Sequence, residues 1–361
     1  MSKKIIFTTG GTGGHIFPAL NLMDHFCSKG YDVLLVTDKR GNRFLENYSN
    51  FKSYTLNTST PTNKSFFNKI LSFFEIFFSI IKSVKILKKE RPNLIFGFGG
   101  YVSFPISLSS KFFGIPLIIY ENNMVLGRAN KFLSFFSKKI LLEKQIEKRF
   151  SKRYKIKSLQ VGPILNKDIL KYSNKIKECN KESFSILVLG GSQGAKIFGD
   201  IIPPVIQMLK NEIKNIEINQ QCLLEQKDKI IDFYKKNQIK FNVFEFKKDI
   251  SKLLSSADFA ITRCGASTTA ELTCTLTPFI GIPLQNSIDD HQYYNAKYYE
   301  ELGCCRILEQ DNFNTKNLFN LIIEIIKDKN KLENMKKNMK KNLSINVYND
   351  IENEVKKIIL K

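Results

Sequence analysis

The stretch "GGTGGHIFPAL", Gly10–Leu20, decides how this chain folds. It sets four glycines and a threonine between the apolar run IIFTT, Ile5–Thr9, and a helix-compatible pattern, with His15 where the helix should begin. A strand that ends in glycines and turns at once into a helix is the first half of a βα unit. Glycine lets the backbone take positive φ and approach a ligand closely, while the free N–H groups and dipole of the next helix attract an anion. A tight turn without a ligand is the plainer alternative.

Working outward, KKIIFTT, YDVLLVTD, PNLIFGFG, PLIIYEN and KKILL read as short strands separated by helix-compatible segments or turn signals. After VGPILN, Val161–Asn166, the pattern restarts with FSILVLGG, IEINQQ, FNVFEF, DFAITR and PFIGIP. Alternating strands and helices of this kind wind parallel sheets. The second series opens on ILVLGGSQGA, Ile186–Ala195, which repeats the device of the first: strand, glycine turn, helix. A chain of 361 residues suits two domains better than one core. The expectation is an α/β protein of two doubly wound parallel-sheet domains facing a cleft, residues 1–163 and 164–344, joined by a Lys-rich connection from Asn166 to Glu182.

Composition narrows the chemistry. The formal net charge of +22 calls for an anionic partner, whether nucleic acid, acidic lipid or a phosphorylated metabolite, unless general drift towards Lys explains it. Seven cysteines form no C-x-x-C pair and, with three histidines, offer no metal-ligand spacing; they read as reduced thiols. The opening MSKKIIFTTGG has no apolar stretch long enough for a signal peptide, so a cytoplasmic protein is expected.

Two nucleotide motifs can be tested by spacing. G-x-G-x-x-G fails from Gly11, where Ile16 occupies a glycine position, and from Gly10, where Thr12 does; only Asp38, placed as an acidic ribose ligand, favours a dinucleotide. No G-x-x-x-x-G-K-[ST] occurs either.

Six ordered motifs carry a resemblance: GGTGGHIFPAL, GFGGYVSFP (Gly97–Pro105), YENNMVLGRAN (Tyr120–Asn130), GGSQGA (Gly190–Ala195), TRCGASTTAEL (Thr262–Leu272) and DDHQYYNA (Asp289–Ala296). Together they resemble the MurG family of N-acetylglucosaminyltransferases, which convert lipid I to lipid II in peptidoglycan synthesis. The resemblance implies a GT-B fold of two Rossmann-like domains, the C-terminal one holding UDP-N-acetylglucosamine and the N-terminal one meeting the lipid acceptor. It also implies that a C-terminal helix, about 345–361, packs back on the N-terminal domain.

In TRCGASTTAEL the chemistry is legible in the residues: a strand ends at Arg263, Gly265 permits a turn, and Ser267, Thr268 and Thr269 begin a helix whose amides can receive a diphosphate or hydroxyl. Ala266 and Ala270 belong to the same candidate contact surface. Glu271 can accept hydrogen bonds from two ribose hydroxyls, the role the resemblance gives it, and otherwise is a glutamate favoured by the helix dipole. By resemblance Ser192, with Gln193 and Gly194, meets the diphosphate, Gln292 and its neighbour His291 meet the sugar, and Asn123 stands near the transferred sugar. Thr12, Gly13 and Gly14 of the first turn are candidate acceptor contacts. Three positions depart from the family pattern: a donor-contacting arginine is replaced by Asn166 or lies elsewhere, Tyr120 replaces a histidine, and QQCL, Gln220–Leu223, replaces an HQ-[ST]-G turn.

No D-x-D triplet occurs, so no metal or other cofactor is implied, and helix N-termini are expected to stabilise the departing diphosphate in an inverting displacement. His15 is the candidate general base; it could instead bind the acceptor diphosphate or only tighten the turn. His25 is expected to be structural or solvent-facing. In the segment Phe66–Arg91, Ile70, Phe73, Phe74, Phe77, Ile81 and Val84 share one helical stripe, and Ser72, Glu75, Ser79 and Lys82 another. Followed by Lys85, Lys88, Lys89 and Arg91, it fits a helix lying on an anionic membrane, a core helix, or both, with Phe66, Phe67 or Phe78 exposed. The expected partners are UDP-GlcNAc, a polyprenyl-diphosphate-linked acceptor, an anionic membrane surface at the cytoplasmic face and other cell-wall synthesis proteins. No nucleic-acid module is present. The competing readings are another UDP-sugar enzyme of the GT-B fold, such as a glycolipid glycosyltransferase or a UDP-GlcNAc 2-epimerase, and a non-catalytic nucleotide-sugar-binding subunit.

Overall fold

Apolar strands flanked by amphipathic helices can bury both faces of a sheet only if helices cover each side, and the chain does this twice. The structure, a computed structural model, describes residues 2–45, 51–58, 66–146, 151–173, 183–191, 195–247, 249–344 and 346–360, without the side chains of 66–71, 73 and 329. By contacts it divides into unit 1, residues 1–166 with 344–361, and unit 2, residues 167–343.

In unit 1 the strands are β1 (Lys4–Thr8), β2 (Asp32–Thr37), β3 (Lys52–Thr55), β4 (Leu94–Gly97), β5 (Leu117–Glu121), β6 (Lys139–Leu142) and β7 (Ser158–Gln160). All pair in parallel, in the order β3-β2-β1-β4-β5-β6-β7. In unit 2, β8 (Phe184–Leu189), β9 (Ile216–Gln221), β10 (Lys240–Phe244), β11 (Phe259–Thr262), β12 (Phe279–Gly281) and β13 (Cys305–Ile307) run parallel in the order β10-β9-β8-β11-β12-β13. In each sheet the order reverses beside the first strand, between β1 and β4 and between β8 and β11. Ligands of open parallel sheets bind outside the carboxyl ends of the strands at such a switch point. Both glycine turns lie there.

Alternate residues of β1 explain the two-sided core. Ile5 and Phe7 face one apolar cluster and Ile6 the other, each wholly buried. The helices of unit 1 are α1 (Gly13–Ser28), α2 (Lys39–Leu45), α3 (Phe66–Glu90), α4 (Ser103–Ser110), α5 (Arg128–Leu133) and α6 (Lys152–Lys155). Those of unit 2 are α7 (Lys167–Leu170), α8 (Lys196–Glu212), α9 (Lys227–Lys236), α10 (Ser251–Ser256), α11 (Ala266–Cys274), α12 (His291–Glu301), α13 (Thr315–Lys327) and α14 (Lys329–Lys341).

The last helix, α15 (Val347–Ile359), returns to unit 1. Val347, Ile351 and Val355, spaced four apart, enter the same cluster as Ile16, Ala19 and Met23 of α1. Polar ties fix its register: Tyr348 donates to the Leu165 carbonyl (2.5 Å), Lys139 pairs with Glu354 (3.1 Å), and His25 meets Glu352 (3.0 Å). His25 is buried, so of the two expectations for it the structural one holds.

The long helix α3 has two sides. Ser72, Ser79, Ser83, Ile86, Leu87 and Glu90 are buried, while Phe74, Phe77, Phe78 and Ile81 are exposed. Small serines allow the close approach and satisfy their hydroxyls nearby, Ser79 on the Asn57 carbonyl (2.7 Å) and Ser83 on the Ser79 carbonyl (2.6 Å). Glu90 anchors the far end, accepting from Lys4 (2.9 Å), Lys52 (2.6 Å) and Tyr54 (2.6 Å). The side chains of Phe66 and Phe67 lie outside the described residues.

Candidate active site

The first turn is shaped by a backbone-on-backbone contact. The Gly10 amide donates to the Gly99 carbonyl (3.1 Å), and a Cβ on Gly100, which holds φ +80°, would lie 2.8 Å from Gly10 Cα. Gly11 is packed as closely on the other side: a Cβ there would stand 2.2 Å from Asp38 Oδ1. Asp38 caps α2 by accepting from the Gly41 amide (2.7 Å), and its other oxygen takes Arg40 Nε (3.1 Å) and Nη2 (2.9 Å). Its place at the end of β2 is accounted for by these contacts, which removes the one residue that favoured a dinucleotide.

Helix α1 starts at Gly13. Thr12 is its extended cap residue, φ −98° and ψ 143°, and makes no side-chain cap bond. Thr12 is exposed, Gly14 and His15 half-buried, and the His15 amide donates to the Thr12 carbonyl (3.0 Å). The loop after β5 reaches this turn through Asn122, whose Nδ2 donates to the Gly14 carbonyl (2.5 Å). Glu121, fully buried, organises that loop. Its Oε1 accepts the backbone and side-chain amides of Asn123 (both 3.1 Å), and its Oε2 those of Gly127 (2.9 Å) and the Asn130 side chain (3.0 Å). Thr12, Gly13, Gly14, His15 and Asn123 are thus drawn into one neighbourhood. Tyr120 points the other way, donating to the Gly162 carbonyl (3.1 Å) and accepting from the Ile164 amide (3.3 Å), a tie to the connecting segment. Asn166 closes that segment at the edge of unit 1.

In unit 2 the turn after β8 is held by Gln221, which accepts from the Gly190 amide (3.1 Å) and donates to the Glu245 carbonyl (2.9 Å). Gly191 adopts φ +83°. The predicted contacts Ser192, Gln193 and Gly194 lie outside the described residues. Helix α8 then follows from Ala195, which has no side chain able to cap it.

Helix α11 begins after Gly265, again without a side-chain cap. By contrast α13 and α14 are capped by Asn314 and Asp328. Most of the described helices lack such a cap; what sets α1, α8 and α11 apart is their place directly after β1, β8 and β11, at the carboxyl ends of the central strands, where first-turn amides can meet an anion. Within α11, the Thr269 hydroxyl faces the Gly265 (3.1 Å) and Ala266 (3.0 Å) carbonyls. Ser267 differs: its Oγ is buried and has no hydrogen-bond partner among the described residues. A buried hydroxyl at a helix start can donate to a water or to a ligand acceptor. Thr268 and Glu271 are half-buried, Ala266 and Ala270 buried.

Gln292 draws the next loops in. Its Oε1 accepts from the amides of Cys264 (3.2 Å) and Leu284 (3.0 Å), which fixes the amide's orientation and leaves Nε2 as its donor. His291 Nδ1 faces the Ile288 carbonyl (2.8 Å), a contact that a proton on Nδ1 satisfies. Arg263 is structural. Its guanidinium is buried over the Phe198 ring (5.1 Å) and donates to the carbonyls of Ile282 (3.1 Å) and Pro283 (3.2 Å), with burial lowering its pKa. Burial likewise pushes the Cys264 thiol well up, which keeps it protonated. Among the described residues no three His, Cys, Asp or Glu side chains stand together as metal ligands.

Two Rossmann-like sheets in one chain, each opening on a glycine turn at its switch point, define the GT-B class, to which glycosyltransferases and some sugar-nucleotide epimerases belong. The chain belongs to glycosyltransferase family 28, whose N-terminal domain matches residues 5–142 and whose C-terminal domain matches residues 185–351. A relative from Wolbachia sp. subsp. Brugia malayi is 36% identical over 329 residues, covering 91% of each chain. One from Rickettsia felis is 35% identical over 339 residues, covering 92% of this chain and 93% of its own. Both are named UDP-N-acetylglucosamine–N-acetylmuramyl-(pentapeptide) pyrophosphoryl-undecaprenol N-acetylglucosamine transferase. Among solved structures, Acinetobacter baumannii MurG superposes with a TM-score of 0.79 over 99% of this chain and 100% of its own, at 24% identity. A UDP-GlcNAc 2-epimerase from Neisseria meningitidis, bound to UDP-GlcNAc, shares the fold at a TM-score of 0.67 and 15% identity, covering 98% of this chain and 100% of its own.

Proposed function

We propose that this chain transfers N-acetylglucosamine from UDP-GlcNAc to undecaprenyl-diphospho-MurNAc-pentapeptide, with inversion at the anomeric carbon. The observation that carries the reading is the match to relatives of that named activity along more than nine-tenths of both chains. The geometry of each unit supports it. In unit 2 the amides at the start of α11 and the Ser267 hydroxyl receive the diphosphate, joined by Ser192, Gln193 and Gly194. Glu271 takes the ribose hydroxyls, and Gln292 Nε2 donates to the sugar with His291 beside it. In unit 1 the α1 turn, Thr12 to Gly14, receives the acceptor's diphosphate. His15 takes the proton from the attacking hydroxyl as the bond to the diphosphate breaks and its charge settles on the helix amides. Asn123 contacts the transferred sugar, and Asn166 stands in for the missing arginine.

The acceptor is lipid-linked, and no described helix is long and apolar enough to cross a membrane. The exposed aromatic side of α3, with Lys85, Lys88 and Lys89, supports peripheral attachment to the acidic cytoplasmic membrane face, where other cell-wall enzymes are the natural neighbours.

The test is UDP release from a panel of sugar nucleotides, with and without a lipid I analogue. Fast release only from UDP-GlcNAc with the analogue is expected. Equal release without acceptor would favour the epimerase reading that the shared fold allows, and binding without turnover would favour a non-catalytic subunit.

A further inference from the structure

Helix α1 contains a proline one turn and a half from its start, and its consequence falls on the site. An α-helical carbonyl accepts from the amide four residues on; for Gly14 that residue is Pro18, which has no N–H. The Gly14 carbonyl is therefore cut out of the helix's own ladder. Asn122, from a loop more than a hundred positions away, supplies the missing donor through Nδ2 at 2.5 Å. Its side chain is almost wholly buried, at 3% exposure, so the bond is not shared with bulk water.

The other end of the same amide is also used. Asn122 Oδ1 accepts from Asn123 Nδ2 (2.9 Å), which is held from the far side by Glu121 Oε1 (3.1 Å). With Nδ2 on a carbonyl and Oδ1 on an N–H, the amide has one orientation only. A rigid chain thus runs from the first turn of α1 to Asn123.

We propose that Asn122 is a positioning residue for the transfer reaction: the gap that Pro18 opens in α1 lets its amide lock the His15 turn to Asn123. This rests on the transferase reading above. A residue that only filled a hydrogen-bond vacancy would affect stability alone, whereas a positioning residue affects turnover even after the vacancy is filled another way.

Pro18→Ala provides that other way, because alanine brings back the backbone N–H that the Gly14 carbonyl lacks. Three variants, Asn122→Ala, Pro18→Ala and the double variant, are compared with the parent by melting temperature and by steady-state kinetics with UDP-GlcNAc and a lipid I analogue. Asn122→Ala should melt several degrees lower and lose tenfold or more in kcat, with KM for UDP-GlcNAc unchanged. The double variant should melt within about 2 °C of Pro18→Ala, a strong departure from additivity, yet keep the loss in kcat. Asn122→Asp, the same shape without the donor, should lose kcat at least as far. Recovery of kcat together with melting temperature, or full kcat in Asn122→Ala, would overturn the proposal. If the parent itself fails to turn over, the transferase reading falls, and additive melting shifts would still overturn the Pro18–Asn122 pairing on its own.

Discussion

Gly10 and Gly100 touch through their backbones: a Cβ on Gly10 would lie 3.1 Å from Gly100 Cα, and one on Gly100 would lie 2.8 Å from Gly10 Cα. Two turns at the ends of neighbouring strands β1 and β4 are thereby held together with no side chain between them. Gly100→Ala adds a clash to a left-handed residue, and the two effects together should cost about 2–4 kcal/mol, read as a lower denaturant midpoint at constant slope. Gly114, at φ +64° with open space around it, isolates the conformational part. Its alanine variant should lose only about 1–2 kcal/mol. Equal losses at both sites would mean the backbone contact is unimportant.

Gln292 separates architecture from recognition. A carboxylate can still accept from the Cys264 and Leu284 amides but has no hydrogen to give a sugar. Gln292→Glu should therefore fold with little change in melting temperature while KM for UDP-GlcNAc rises roughly tenfold, the equivalent of about 1.4 kcal/mol. An unchanged KM would remove Nε2 from the sugar site.

Glu90 should set part of the acid limit of unit 1. Burial alone would raise its carboxyl, but hydrogen bonds from Lys52, Tyr54 and Lys4 outweigh burial and hold it down at about 2, against an ordinary 4.5. A carboxyl depressed on folding stabilises fully above its unfolded value and loses that contribution as pH falls through the folded one. The stability curve should accordingly decline between about pH 4.5 and 2. Glu90→Gln should be less stable at neutral pH and show a shallower decline across that window in urea titrations. A parallel decline in parent and variant would clear Glu90 of the effect.

The exposed rings of α3 can be tested without touching either turn. Replacing Phe74, Phe77 and Phe78 together by Ser should weaken binding to vesicles of acidic phospholipid by about a hundredfold, if each ring loses roughly 1 kcal/mol of partial burial. Melting temperature should hold. Unaltered sedimentation with vesicles would place the contact elsewhere.

The central strands are readable because both faces of a parallel sheet are buried and the run is continuously apolar, as in Ile5–Phe7 or Ile186–Leu189. Edges are not. β3, β7 and β13 have four, three and three residues, and β3 and β7 are polar and half-buried, so neither length nor pattern marks them. Periodicity sorts α3 into stripes but does not say which faces the protein, and the serine side does. In the site, glycine turns and the TRCGASTTAEL helix are visible as local patterns. Asn122, Glu121 and Gln221 escape a sequence reading because their roles are long-range hydrogen bonds made by common side chains. Pro18 hints at an orphan carbonyl four residues back, but nothing local names a partner 108 positions away.

Unit 1 is discontinuous along the chain, and this governs how it can be made. The apolar side of α1 emerges from the ribosome early, yet Ile351 and Val355, which cover it, are translated some three hundred residues later. Until then the nascent first half carries an open greasy seam while unit 2 can already be assembling. A chain cut short before α15 would keep that seam for good, which makes it a natural target for chaperones and proteases rather than a slightly weaker enzyme.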